Sequence, residues 1–282
     1  MAGKASTPKL RALGVALRKA REAKDVSLRE LARQLGDDAG ALGRYEKGER
    51  GTTPEKVARI LATLGVNGED YESIMALTRD AEGPLWVAVS LPEQQHQFDA
   101  LLEFEENAIS ITKIGPLLVP GLLQTREYTQ AIMSTDSDVP AIEIRRRVNI
   151  RSGRKDILTR VDPVPMLAMI SEGVLDQLIG TPAVMVGQLQ YLLDMGKRDN
   201  VTIRVIPKMS GWHPGLEGSF DLIESDPMPV VQLETRRSSL FLHEEKDLGS
   251  YRRAAEQVSE KAMSPAESAG LIGKYIERWE DR

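Results

Sequence analysis

Apolar positions in the first eighty residues recur at the spacing of helices that bury one side. Leu10, Leu13, Val15 and Leu17 place a buried face on a helix over 10–23, preceded by a flexible arm at 1–8. Leu28, Leu31, Ala32 and Leu35 form a second stripe. Pro54, at a first helical turn, opens a helix with Val57, Ile60, Leu61 and Leu64 inward, and Gly65 and Asn67-Gly68 stop it. Residues 69–80 read as one more helix, so the amino-terminal region has about five. Beyond residue 100 the period changes. Short β-branched and apolar runs at 108–114, 164–170, 201–206, 219–223, 230–233 and 239–242 are bounded by Pro, Gly, Asp or Asn and read as strands. Helical stretches at 122–133, 141–156, 172–179, 183–197, 247–262 and 265–281 lie between and after them. The fold class is therefore α+β overall: an all-α, five-helix domain over 1–80, then a mixed α/β domain over 101–282 with a largely antiparallel sheet and helices packed on it. The connection at 81–100 holds Gly83, Pro84, Pro92 and the polar run EQQHQ, with a partly docking patch Leu85-Trp86-Val87-Ala88-Val89, and leads into a helix near 94–107.

Within the first domain, residues 17–64 carry a concentrated set of signals. Ser27-Leu28-Arg29-Glu30 reads as a capping box, in which the hydroxyl and the carboxylate satisfy each other's end of a new helix. Gly36 supplies a turn, and Asp38 can cap a second short helix running to about Lys47. Two short capped helices about a glycine turn suit insertion into a DNA groove, the alternative being an ordinary helical bundle.

Composition sharpens that choice. The 282 residues carry a net charge of −5, unevenly spread: residues 1–60 hold 14 Lys/Arg against 8 Asp/Glu, a basic head on an acidic body. Such a head suits a polyanion. There is no cysteine, which excludes disulfides, thiolate metal sites and cysteine nucleophiles. The start MAGKASTPKL has no apolar core of leader type and no run is long enough to span a bilayer, so the expectation is a cytoplasmic protein with no membrane partner.

SLRELARQLG at 27–36 and RYEKGER at 44–50 resemble the Cro/repressor-like helix-turn-helix family of the xenobiotic-response-element (XRE) type. VPGLLQTREY at 119–128, IRRRVNIRSGRKDIL at 144–158, NVTIRVIPKMSGWHPGLEGSFDLIE at 200–224 and AMSPAESAGLI at 262–272 resemble an actinobacterial antitoxin-like regulator domain that typically follows such a motif. The resemblance implies a transcriptional regulator whose gene often lies beside that of a small partner protein. It also implies that the second motif helix enters the major groove with its early residues, here Ala39, Gly40, Ala41 and Gly43, toward base edges. The family usually places Gln, Ser or Thr there, so this sequence departs from the pattern. Glu46 is implied to form a structural ion pair with Arg21 that braces the helix.

Alanine can touch only a thymine methyl and glycine offers backbone alone, so Arg44, one turn further on, is the base-reading candidate; its other role is a phosphate contact or a surface ion pair. Ser27, Arg29, Lys47, Arg50 and Thr52 are expected to position the DNA backbone. Binding through DNA shape is the alternative to base reading.

In the second domain His96, His213 and His243 have no metal-binding spacing, Ser171 and Ser210 lack a nucleophile-elbow frame, and there is no glycine-rich phosphate loop. No enzyme, metal or cofactor is expected. Trp212-His213-Pro214-Gly215 reads either as a loop with Trp212 lidding a ligand or partner site, or as a turn with Trp212 packed on the core. Gln124, in VPGLLQT, poses the same choice, with Gln124 or Thr125 as a helix cap. Arg145, Arg146, Arg147, Arg151, Arg154 and Lys155 cannot share one helical face, so some must pair with acidic residues. The expected partners are double-stranded DNA, a second copy in a homodimer, and a small protein or small-molecule effector; the rival is an antitoxin-like protein that neutralises a small partner and binds DNA to autoregulate.

Overall fold

The computed structural model describes residues 6–83, 86–88, 90–135, 140–226, 228–235 and 239–282, so Leu85 and Val89 of the apolar patch and the start of the expected arm lie outside the described residues. The chain divides into two compact units, Met1–Asn107 with Ser225–Leu248, and Ala108–Glu224 with Gly249–Arg282.

The first unit opens with five helices: α1 (Pro8–Glu22), α2 (Leu28–Leu35), α3 (Ala39–Glu46), α4 (Pro54–Thr63) and α5 (Gly68–Ala76). Their starts follow the local chemistry of the sequence. Thr7, Ser27, Asp38 and Thr53 each accept a hydrogen bond from the backbone N–H three residues on, and Pro8 and Pro54 stand where a missing N–H costs nothing. The capping box at Ser27 is only half made. The hydroxyl accepts from Glu30 N at 3.2 Å, but the Glu30 carboxylate turns along the helix and accepts from Arg33 and Gln34 at 2.6 and 3.0 Å. A guanidinium one turn away outcompetes a backbone N–H because both partners carry charge.

α1 departs from its expected single buried face: every residue from Leu10 to Leu17 is buried. Its second face is covered by α6 (Leu91–Glu106), which begins at a complete Ser90–Glu93 capping box. The two helices are also joined by ion pairs, Arg18 with Glu103 at 2.6 Å and Lys19 with Asp99 at 2.8 Å, and Arg11 lies 5.4 Å over the Phe104 ring. The unit is completed by β1 (Trp86–Val87), β6 (Val230–Glu234) and β7 (Ser239–Leu242), with β7 antiparallel to both neighbours. The buried Gln97 amide of α6 donates to the carbonyls of Trp86 and Ser239 and accepts from Ser239 N, and Phe241 packs on Trp86 and Phe104.

In the second unit β2 (Ala108–Gly115), β3 (Met166–Ser171), β4 (Val201–Ile206) and β5 (Phe220–Ser225) lie in the order β5-β2-β3-β4. Strand pairing is mostly antiparallel in this protein, the ladder β2-β3-β4 being parallel. Helices α7 (Arg126–Met133), α8 (Ala141–Gly153), α9 (Glu172–Asp176), α10 (Pro182–Met195), α11 (Glu245–Lys261) and α12 (Pro265–Glu280) follow and separate the strands, α11 starting in the first unit's segment. The outer edge of β4 is closed by the start of α12: Val205 N donates to the fully buried Ser268 hydroxyl at 2.8 Å, and Met263 N donates to Val205 O at 2.9 Å. An edge strand closed in this way offers no template for another chain at that point.

The acidic character does not reside where the sequence suggested. The second unit holds 19 Lys/Arg and 19 Asp/Glu, while residues 61–107 hold ten Asp/Glu and a single Lys/Arg. Setting residues 1–60 against the remainder spreads the charge of α5 and α6 over everything that follows.

Candidate nucleic-acid interface

The turn between α2 and α3 depends on Gly36, which takes φ +65°, the left-handed conformation in which a side chain is strained. It lets α2 end while Asp38, accepting from Ala41 N at 2.8 Å, starts α3. Leu42 and Glu46 of α3 face inward and are buried; Gly40 and Arg44, four residues apart, share the exposed face.

The seat of α3 is formed by α1. A Cβ on Gly14 would lie 2.5 Å from the carbonyl oxygens of both Tyr45 and Glu46, so the end of α3 rests directly on the α1 backbone. Gly48, at φ +65°, makes the reciprocal approach to Arg11. Beside that contact Arg21 Nε and Nη2 donate to the two Glu46 carboxylate oxygens at 2.7 and 2.8 Å, and Arg21 Nη1 donates to Val26 O at 2.9 Å. The hydrogen bond to Glu46, opposed by burial, holds the Arg21 guanidinium above its ordinary pKa. Glu46, a carboxylate within the DNA reader, therefore points away from its exposed face.

Around that face Ser27, Arg29, Lys47 and Arg50 are exposed, and Ala39 and Gly43 are half-buried. Neither Arg29 nor Arg44 has an ion-pair partner among the described residues. Lys47 has a loose one, Glu49 at 3.9 Å, and Arg50 lies 6.0 Å from the Tyr45 ring centre. Thr52 differs from its neighbours: its hydroxyl oxygen is enclosed and has no hydrogen-bond partner among the described residues, so it does not project as a phosphate donor. Opposite α3, Lys56 of α4 pairs with Asp37 of the turn.

Chemistry in the second unit is less concentrated. Trp212 is 67 % exposed, so it does not pack on the core; His213 does, at 3 %. Burial, then the positive charge of Lys261, pushes the His213 imidazole below its ordinary pKa, and its Nδ1 has no hydrogen-bond partner among the described residues. Gln124 is buried within its own loop, donating to Val119 O at 2.7 Å and accepting from Thr129 at 3.1 Å, while Thr125 caps α7. A buried amide that sequence reading did not single out, Gln188 of α10, grips the same loop: it accepts from Thr125 N and donates to Leu123 O. Its signal was a lone polar residue on the apolar face Met185, Leu189, Leu192. An open depression of about 440 Å³ is lined by Ser110, Thr112, Leu167, Asn200 and Thr202, and includes none of Trp212, His213 and Gln124. The basic run of α8 is partly neutralised, Glu143 pairing with Arg146 at 3.7 Å and Arg147 at 2.9 Å, and Lys155 sits 5.0 Å over the Tyr191 ring. Among the described residues no helix is long and apolar enough to cross a membrane.

Two short helices about a left-handed glycine, the second braced from behind by Arg21–Glu46 and bearing Arg44 in front, define a helix-turn-helix DNA-binding module. Residues 12–73 match a family described as a helix-turn-helix domain. Residues 98–274 match a domain of unknown function, DUF5753, and since that match takes in more than half of the sequence the chain belongs to that family. No curated protein matches the chain. Among solved structures it is similar to an archaeal chromatin protein, TrmBL2, whose structure is described as showing a novel mode of DNA binding: 12 % identity, TM-score 0.32, covering 74 % of this chain. The chain spans 61 % of that protein's length.

Proposed function

We propose that this DNA-binding regulator is sequence-specific and dimeric, reads base edges through Arg44 of α3, and receives through its DUF5753 unit a signal from a small partner protein or small molecule. The observation that carries the proposal is the exposed face of α3, where Arg44 projects without an ion-pair partner from a helix held from behind by Arg21–Glu46. A fork-shaped cation one turn into a groove helix suits the two acceptors of guanine, an interaction contributing roughly 1–3 kcal/mol of discrimination. Arg29 at the start of α2, with Lys47 and Arg50 beyond α3, would hold phosphates on either side. Dimerisation follows from size: a single small module buries only about 600–1,000 Å², at the lower end for specific binding. The proposal assigns the chain no reaction. Its test is selection of duplexes from a random-sequence library by the full-length protein and by Arg44→Ala, each at two salt concentrations. Enrichment of a palindromic site that depends on Arg44 supports it. Salt-dependent binding with no preferred sequence, indifferent to Arg44, would reduce α3 to a phosphate grip and refute base reading.

A further inference from the structure

We infer that the protein dimerises through an apolar patch at the carboxyl ends of β2 and β4, where Trp212, Leu216, Leu117 and Leu118 of one copy pack against the same patch of a second copy. The inference rests on the dimeric reading given above and adds the surface that carries it. β2, β3 and β4 run parallel, so the loops after Gly115 and Ile206 leave the ladder at the same end. The two loops also meet one strand end: a Cβ on Gly215 would stand 3.1 Å from Ile114 Cγ2, and one on Gly115 would stand 2.8 Å from Leu118 O. The longer loop is anchored by the buried His213, whose carbonyl accepts from Leu216 N at 3.0 Å, and Trp212 beside it is turned to solvent. Trp212, Leu216, Leu117 and Met209 are each more than half exposed, and Leu118 is exposed as well. Tryptophan is among the residue types that most often dominate an interface.

Area and charge both select a second copy as the occupant. Taking about 200 Å² for a whole tryptophan and about 120 Å² for each of the others, the exposed fractions amount to roughly 450 Å² of apolar surface. A standard interface buries about 800 Å² on each partner, about 55–65 % of it apolar, so the patch supplies the apolar part of one such interface. In a two-fold dimer the same patch stands on both sides, and any charge it carries is brought toward its own copy. Residues 116–121 and 209–216 contain no Lys, Arg, Asp or Glu. At the flank Lys208 is held by Asp176 at 2.8 Å, and burial favours the neutral form of His213. Other conspicuous surfaces fail this requirement. The exposed Arg145, Arg146 and Arg147 of α8 share one Glu143, and Glu69, Asp70 and Glu72 of α5 are exposed carboxylates, so either face would repel its own copy.

The test is sedimentation equilibrium of the full-length protein across a wide concentration range, with far-UV circular dichroism to check the fold. Trp212→Ser combined with Leu216→Ser should raise the dimer dissociation constant at least about 100-fold, with an unchanged spectrum. Leu117→Ser, in the other loop, should raise it about tenfold, and Arg145→Ser combined with Arg146→Ser should leave it unchanged. A wild-type dimer that both loop variants leave intact would overturn the inference while the dimeric reading stands. Dissociation by the α8 variant alone would overturn it as well, because the interface would then lie there. Should the double variant lose its fold, Leu117→Ser decides: weaker dimerisation supports the inference and unchanged dimerisation overturns it. A wild-type protein that stays monomeric at every concentration would leave the patch to another occupant, and would sink the inference together with the dimeric reading beneath it.

Discussion

Cutting the Arg21–Glu46 pair should unfold the DNA reader rather than merely weaken its grip. The side chains are 12 % and 9 % exposed and meet through two hydrogen bonds of 2.7 and 2.8 Å, with a third from Arg21 to Val26 O. Removing one partner of a buried pair leaves the other charge desolvated and unpaired, which costs about 3–5 kcal/mol. The slight exposure here, and Glu22 at 3.5 Å as a substitute partner for Arg21, favour the low end, about 3 kcal/mol for Glu46→Ala. Arg21→Ala should cost about the same, and the double variant less than the sum, since the second removal relieves an orphaned charge. The assay is urea unfolding of both single variants and the double, with hydrogen exchange to localise the loss to residues 8–64. Single-variant losses below about 0.5 kcal/mol, or a double variant equal to the sum, would refute the reasoning. So would Glu46→Ala protein of normal stability that has lost DNA affinity, since Glu46 would then face the DNA.

Gly14→Ala should lower stability by about 1–2 kcal/mol, because overfilling a contact with two fixed carbonyls outweighs the helix-propensity gain of about 1 kcal/mol; a higher melting temperature would contradict the close approach of α1 and α3. Ser268→Ala leaves Val205 N–H buried without its acceptor and should cost about 1–3 kcal/mol in thermal unfolding, whereas no measurable change would show that this edge is satisfied otherwise. Burial lowers the pKa of His96, His213 and His243, for His96 against the pull of Asp99 and other carboxylates. The unfolded chain then takes up protons first as pH falls, so the contribution of these groups is full above the ordinary histidine value near 6.5 and is lost below it. The denaturation midpoint should accordingly drop between pH 7.5 and 5.5, and His96→Gln should shrink the drop; a midpoint that rises on acidification would contradict this.

Local chemistry was legible in the sequence wherever it is written in neighbouring residues. Ser27 and Asp38 before α2 and α3, and Pro54 at the first turn of α4, mark helix starts without reference to the rest of the fold, whereas Thr7 and Pro8, which start α1, read as the end of a flexible arm. The apolar runs locate the strands for the same reason. Long-range geometry was not legible. Gly14 lies in the apolar stretch LGVAL and gives no local sign that another helix touches it. The complete cover of α1 required α6, whose acidic face becomes meaningful only once Arg18 and Lys19 are seen opposite it. The parallel sense of β2-β3-β4 depends on where the connecting helices pass, which run length cannot encode. At Ser27–Glu30 the motif was correctly spaced, yet Arg33 three residues on decided where the carboxylate went.

The first unit is assembled from two stretches of chain far apart in sequence, and synthesis is directional. Phe104 leaves the ribosome about 140 residues before Phe241, the ring that seals it against Trp86. At about 5–20 residues per second the gap is roughly 7–30 s. During that interval the helix-turn-helix residues have all been made, while the apolar side of α6 still waits for its cover. A nascent chain, or a fragment ending before residue 225, therefore carries the whole reading head on an unfinished support.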